Sequence, residues 1–245
     1  KIFRNNKDRE DFIERLEILC PGTQTDCYAW AFIPNHAHFL FRTGSEPLSR
    51  LMRRLLTGYV IGFNHRHGRS GQLFQNRYKS ILVDKDSYLL ELTRYMVINP
   101  VRAAMVESPV EWRWSSYRDM LGERVPPEWL ATDALLAQFS SERTEAVRRY
   151  VQFVAEGRGA ESIWNNLKRQ IYLGDERFVE RMQATREGLS KAVGVPKTQK
   201  RPPAPPIEEL ASKYRNRNEA IAAIYATGEY SYQQIADFYG LHFTT

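Results

Sequence analysis

Pro34-Asn35-His36-Ala37-His38-Phe39-Leu40-Phe41 is the stretch on which the reading of this chain turns. Pro34-Asn35 is turn chemistry, and residues 25–33 and 37–42 on either side are rich in aromatic and β-forming side chains. The segment is therefore predicted to be an antiparallel hairpin. Side chains alternate across a strand, so His36 and His38 share one face and Ala37 takes the other. Two neutral imidazoles aimed at one spot are good donors for a metal ion.

Helices are expected around the hairpin. Asn5 or Asn6 can cap a helix running to about Cys20, with Phe12, Ile13, Leu16 and Leu19 as its apolar stripe and Pro21-Gly22 as its stop. A second helix is expected over residues 47–63, where arginines interleave with Leu48, Leu51, Leu55 and Val60. Residues 65–71 read as a basic loop and residues 76–83 as a third strand. A further helix over residues 86–98 should end before Pro100. Residues 1–122 thus form an α+β domain with an antiparallel sheet, closed by Trp112-Arg113-Trp114-Ser115-Ser116-Tyr117. Residues 123–193 read as an all-helical extension, and residues 194–206, with five prolines, as a semi-rigid linker. Residues 207–245 read as a helix-turn-helix, with one helix over residues 207–226 and Ser231 capping a second that carries Ile235, Ala236 and Phe238. Gly240 makes the next turn, and the recognition helix is cut short after His242-Phe243-Thr244-Thr245. The absence of a Met before Lys1-Ile2-Phe3 suggests missing N-terminal sequence.

At 245 residues, 42% hydrophobic and 12% aromatic, the chain can bury a core, which excludes a disordered protein. Its net charge of +6 is unevenly placed. Arg42, Arg50, Arg53, Arg54, Arg66, Arg69, Arg77 and Lys79 face a single acid, Glu46, over residues 42–79, giving that segment +7 and the rest of the chain −1. A cationic stretch next to the histidine pair points to a polyanionic partner, and nucleic acid is the favoured one. Cys20 and Cys27 make no disulfide framework and have no metal-ligand spacing, so reduced thiols in a cytoplasm are expected. No apolar run reaches the ~20 residues of a membrane helix, and no membrane partner is expected.

Tyr95 and Asn99 name the chemistry. Four residues apart on a helix, they lie on one face about 6 Å apart along the axis. With His36 and His38, the Asn99 amide oxygen would complete a mixed nitrogen and oxygen donor set suited to Mg²⁺ or Mn²⁺ rather than structural zinc. Tyr95 would then attack a phosphorus held at the metal, forming a phosphotyrosine. Tyr88 lies on nearly the same face, but its backbone is about 16 Å from Asn99. His65 and His67 repeat the His-x-His pattern in a basic, glycine-containing loop that would hold ligands poorly, and read as DNA-facing or idle. Arg50, Arg53, Arg54, Arg66, Arg69, Arg77 and Lys79 are the candidate backbone contacts, and Tyr59, Phe74 or Tyr78 could stack on unpaired bases. Two other readings stay open: a non-catalytic sequence-specific DNA-binding protein or repressor, and a metal-dependent hydrolase that uses water with Tyr95 structural.

Three segments carry a family resemblance: Phe32 through Leu40, Gly71-Gln72-Leu73-Phe74-Gln75-Asn76-Arg77-Tyr78-Lys79-Ser80, and Arg94-Tyr95-Met96-Val97-Ile98-Asn99-Pro100-Val101-Arg102-Ala103. In order and spacing they resemble the signature of single-tyrosine HUH transposases, in particular the REP-associated tyrosine transposase branch, over about residues 1–120. The resemblance implies a ferredoxin-like nuclease core acting on single-stranded hairpin DNA. It implies that His36 and His38 are the HUH pair, Asn99 the third metal ligand and Tyr95 the nucleophile. A 5′-phosphotyrosine and a free 3′-hydroxyl follow, and strand transfer is then reversible without ATP. Members of the family carry a β-strand ahead of the first helix, which is absent before Lys1. One tyrosine per site holds one cut end, so moving an element with two ends would favour a homodimer.

Overall fold

In the computed structural model, the residues described are 1–157, 163–169, 171–187, 205–227, 230 and 232–241. They form two compact units, Lys1–Tyr78 with Leu89–Ser162, and Lys79–Tyr88 with Ile163–Thr245. The class is α+β.

The first unit is organised on the predicted hairpin. Strand β1 (Asp26–Ile33) pairs antiparallel with β2 (His36–Arg42), placing Ala31 opposite His38 and Ile33 opposite His36, with a bulge between Cys27 and Ala29. Helix α1 (Asn6–Gly22) begins in a capping box, with the Asn5 side chain accepting from the Asp8 N–H and the Asp8 carboxylate accepting in return. It absorbs Pro21 in its last turn instead of stopping before it. Helix α2 (Leu48–Arg66) buries Leu51, Met52, Leu55, Tyr59 and Phe63. Phe12 of α1 meets Phe39 at 5.8 Å and Tyr59 at 4.7 Å between ring centroids, and Phe3 stacks on Phe32 at 4.9 Å. These rings glue α1 and α2 to the sheet face that carries Phe32 and Phe39, which leaves the other face to the histidines.

Helix α3 (Lys85–Arg102) packs on that second face. It does not end before Pro100 as expected, since the Ala103 N–H continues its ladder to the Asn99 carbonyl, and the Met105 N–H closes the helix end on the Pro100 carbonyl after Ala104 at φ +53°. Pro100 is itself buried, and the burial of Leu92, Met96, Val97, Ile98 and Pro100 outweighs the missing N–H. The predicted closing segment is in place: Ser115 bridges to Ala31 and the Trp114 carbonyl accepts from the Phe32 N–H. Helices α4 (Tyr117–Leu121), α5 (Thr132–Leu136) and α6 (Arg143–Glu156) complete this unit around the buried Tyr117, Met120, Leu135 and Tyr150.

Three further expectations are corrected. The third strand shrinks from residues 76–83 to β3 (Leu82–Val83), which lies in the second unit and pairs in parallel with Tyr172 and Leu173 there instead of with the hairpin. The extension is not all-helical, because β4 (Leu167–Lys168) and β5 (Tyr172–Leu173) form a small sheet with β3, turning at Arg169 with φ +50°. Tyr172 and Leu173 are buried there against Phe178 and Val179 of α7 (Glu176–Glu187). The single helix over residues 207–226 is two helices, α8 (Ile207–Ser212) and α9 (Arg217–Ala226). Asn216 breaks it by capping the N–H groups of Asn218 and Glu219. Helix α10 (Tyr232–Tyr239) follows, and Ile235 packs on Ala220 and Ile224 of α9 with Ile207 and Leu210 of α8 at the margin. Most of the proline-rich stretch, Ser231 and the start of the recognition helix lie outside the described residues. Both cysteines are free and buried, and no described helix is long and apolar enough to cross a membrane.

Candidate active site

Strand alternation puts His36 and His38 together, with ring centroids 4.7 Å apart and planes at 86°. The Asn35 side-chain oxygen lies 2.8 Å from His36 Nδ1 and accepts its proton, which leaves the Nε2 lone pair of His36 available. Burial, helped by the neighbouring His36, pushes His38 down to about 4, and burial also lowers His36. Both imidazoles are therefore neutral at pH 7.

Helix α3 supplies the rest. Its continuation through Pro100 makes Asn99 helical, so the i, i+4 relation to Tyr95 holds in full. Asn99 Nδ2 lies 3.4 Å from His38 Nε2, and the Tyr95 ring centroid lies 6.2 Å from that of His38. Tyr95 and Asn99 are half-buried, between the core and solvent.

The donor chemistry fits a hard divalent cation. Two adjacent ligands of an octahedral Mg²⁺ stand about 3 Å apart, close to the 3.4 Å between Asn99 and His38. A half-turn of the Asn99 amide presents Oδ1 in place of Nδ2. Among the described residues no group of three or more His, Cys, Asp or Glu side chains is placed to hold a metal. The candidate donors are His36 beside His38, and Asn99 beside His38.

The cationic residues separate into two kinds. Arg53 and Arg54 are exposed on α2, opposite its buried stripe, and Arg50 is exposed while paired to Glu46 at 3.2 Å. Arg77 and Lys79 are exposed in the extended segment before β3. Arg69 lies half-buried with its guanidinium 5.8 Å from the Phe63 ring centroid. Arg66 instead turns inward to Asp8 at 3.2 Å and Asp11 at 3.0 Å. His67 joins it, with Nε2 2.9 Å from an Asp8 oxygen, so this histidine is neither DNA-facing nor idle. Tyr59 is fully buried with its hydroxyl on the Ile2 carbonyl and cannot stack on a base, whereas Phe74 and Tyr78 are partly exposed.

Two neighbours of the site escaped the sequence reading. Asn35 orients His36, a role that adjacency alone could have suggested. Arg102 stands with its guanidinium carbon 5.5 Å from the Tyr95 ring centroid. Its spacing, three residues past Asn99 and seven past Tyr95, marks the same helical face.

No protein-family model matches the chain, and no curated protein matches it. Among solved structures, the chain is similar to a REP-associated tyrosine transposase bound to a REP hairpin, at 18% identity and a TM-score of 0.35, over 52% of this chain and 80% of that one.

Proposed function

We propose that the protein is a divalent-metal-dependent DNA strand transferase of the single-tyrosine transposase type, which nicks and rejoins single-stranded hairpin DNA. The observation that carries this reading is the meeting of α3 with β2. Tyr95 and Asn99 share one helix face, and that face lies against the neutral His38 of the His36-Ala37-His38 pair. The resemblance of the surrounding motifs to HUH transposases supports it and brings with it a ferredoxin-like core; the residue pattern over 207–245 adds a DNA-reading helix-turn-helix, and one tyrosine per site favours a homodimer.

His36, His38 and Asn99 would hold a Mg²⁺ or Mn²⁺ ion, which when bound supplies Lewis-acid polarisation of the scissile phosphate. Tyr95 Oη attacks the phosphorus, forming a new O–P bond as the P–O3′ bond breaks. The phenolic proton departs to water and the leaving 3′ oxygen takes one up, so the products are a 5′-phosphotyrosine and a 3′-hydroxyl. A 3′-hydroxyl attacking the phosphotyrosine reverses the step on the same or another strand. Arg50, Arg53, Arg54, Arg77 and Lys79 track the strand's phosphates, and Asn35 holds His36 in its metal-facing tautomer.

The test is incubation of the protein with Mn²⁺ and labelled single strands carrying palindromic repeats that border its gene. A denaturation-resistant protein–DNA adduct is expected, absent in Tyr95→Phe. Cleavage that survives Tyr95→Phe identifies a water-using hydrolase. Binding with no cleavage identifies a DNA-binding protein or repressor.

A further inference from the structure

We propose that Arg102 binds the scissile phosphate, clamping a non-bridging oxygen of the phosphodiester that Tyr95 attacks. The inference rests on the tyrosine-transfer reading above and adds a catalytic residue to it.

Position is the first argument. Residues 95, 99 and 102 fall within an arc of ~60° on an α-helix. Helical side chains lean toward the N-terminus, so a long side chain at Arg102 runs back over the turn that holds Asn99 and Tyr95. The guanidinium does so, reaching 5.5 Å from the Tyr95 ring centroid.

Charge is the second argument. Arg94, on the same helix, is neutralised by Glu91 and stacked 4.2 Å from the Phe153 centroid. Among the described residues no carboxylate pairs with Arg102, although its side chain is exposed and could find one. An exposed cation without a carboxylate partner therefore stands beside Tyr95. A guanidinium offers a planar fork of donors that matches two phosphate oxygens.

During transfer the O–P bond to Tyr95 forms and the P–O3′ bond breaks, while negative charge rises on the non-bridging oxygens. Arg102 stabilises that charge and exchanges no atom with the substrate. It also stands over the phenol ring, so the nucleophile and the phosphate share one anchor.

The experiment uses the full chain and the strand that forms the adduct. Arg102→Ala is expected to slow adduct formation about a hundredfold, and Arg102→Lys to restore part of it. The second readout needs neither metal nor turnover. In the Tyr95→Phe background without divalent ions, Arg102→Ala should weaken binding of that strand about tenfold. The loss should vanish when the linkage mapped as the cleavage point is a methylphosphonate, which lacks the charged oxygen. Adduct formation by wild type that Arg102→Ala leaves within threefold overturns the inference and leaves the transferase reading standing. Equal binding losses on both linkages also overturn it, since a residue that only props the tyrosine would behave that way. No adduct from wild type removes the transferase reading and this inference together. Because Arg102 is exposed, thermal melting of each variant should match wild type.

Discussion

Burial and the proximity of His36 together push His38 down to about 4, so its imidazole is uncharged throughout the neutral range and keeps one ring nitrogen with a lone pair. Removing that donor should lower Mn²⁺ affinity in His38→Ala by at least tenfold in calorimetric titration, with an unchanged melting temperature. A protein that melts early would mean the imidazole serves packing. Asp8 is the opposite kind of residue, wholly internal to the fold. Burial works to raise its carboxyl, but the Arg4 N–H at 2.8 Å and His67 hold it below the ordinary aspartate value. With the folded-state pKa depressed, the unfolded chain binds more protons below about pH 4. The contribution is therefore complete above that pH and lost as pH falls through the folded-state value. Asp8→Asn should cost about 3 kcal/mol at neutral pH by leaving Arg66 and His67 unanswered. It should also flatten the acid limb of a denaturant-midpoint series, and an unchanged midpoint would contradict this account. The pairing of His36 with His38 was legible because a period of two is a property of any strand. The inward turn of Arg66 and His67 was not, because it depends on Asp8 and Asp11, more than fifty residues away in sequence.

Two elements, β2 and α3, set the geometry of the candidate site, and each depends on a local backbone condition. Strand β2 leads into α2 through Gly44, which packs directly on the chain at Thr23 and Gln24. An added Cβ there would overlap the Gln24 carbonyl and stand 2.6 Å from the Thr23 carbonyl oxygen. Gly44→Ala should therefore destabilise the first unit by about 2 kcal/mol, since neither backbone can yield as a side chain would. Chemical denaturation measures this, and a wild-type midpoint would show that the β2–α2 connection is looser than described. In α3, Pro100 has the sequence signature of a stop. That rule concerns an isolated chain, whereas here the buried faces of Met96, Val97 and Pro100 carry the helix on to Arg102. The same limit hid β4 and β5, because two-residue strands contain too few side chains to show a period. Helix α1, by contrast, was readable almost to the residue from its Asn5 cap and its Phe12, Leu16 and Leu19 stripe.

For the molecule as a whole, the excess charge of residues 42–79 should appear as salt dependence. Affinity for a single-stranded hairpin should fall steeply with salt, and at fixed salt it should exceed affinity for random duplex. Arg53→Ala with Arg54→Ala should make the slope of log K against log salt shallower by about 1.4, at ~0.7 per phosphate contact on a single strand. Arg66→Ala should instead lower stability and leave the slope alone, since its charge answers Asp8 and Asp11. A slope that ignores Arg53 and Arg54 would place the nucleic-acid track elsewhere. The central claim is that two imidazoles of β2 and the amide of α3 hold one cation beside the Tyr95 phenol. Anomalous diffraction from crystals grown with Mn²⁺ measures this directly. The account predicts a manganese peak bounded by His36, His38 and Asn99, lost in His38→Ala; density at other residues, or none at these three with manganese bound in solution, would contradict it.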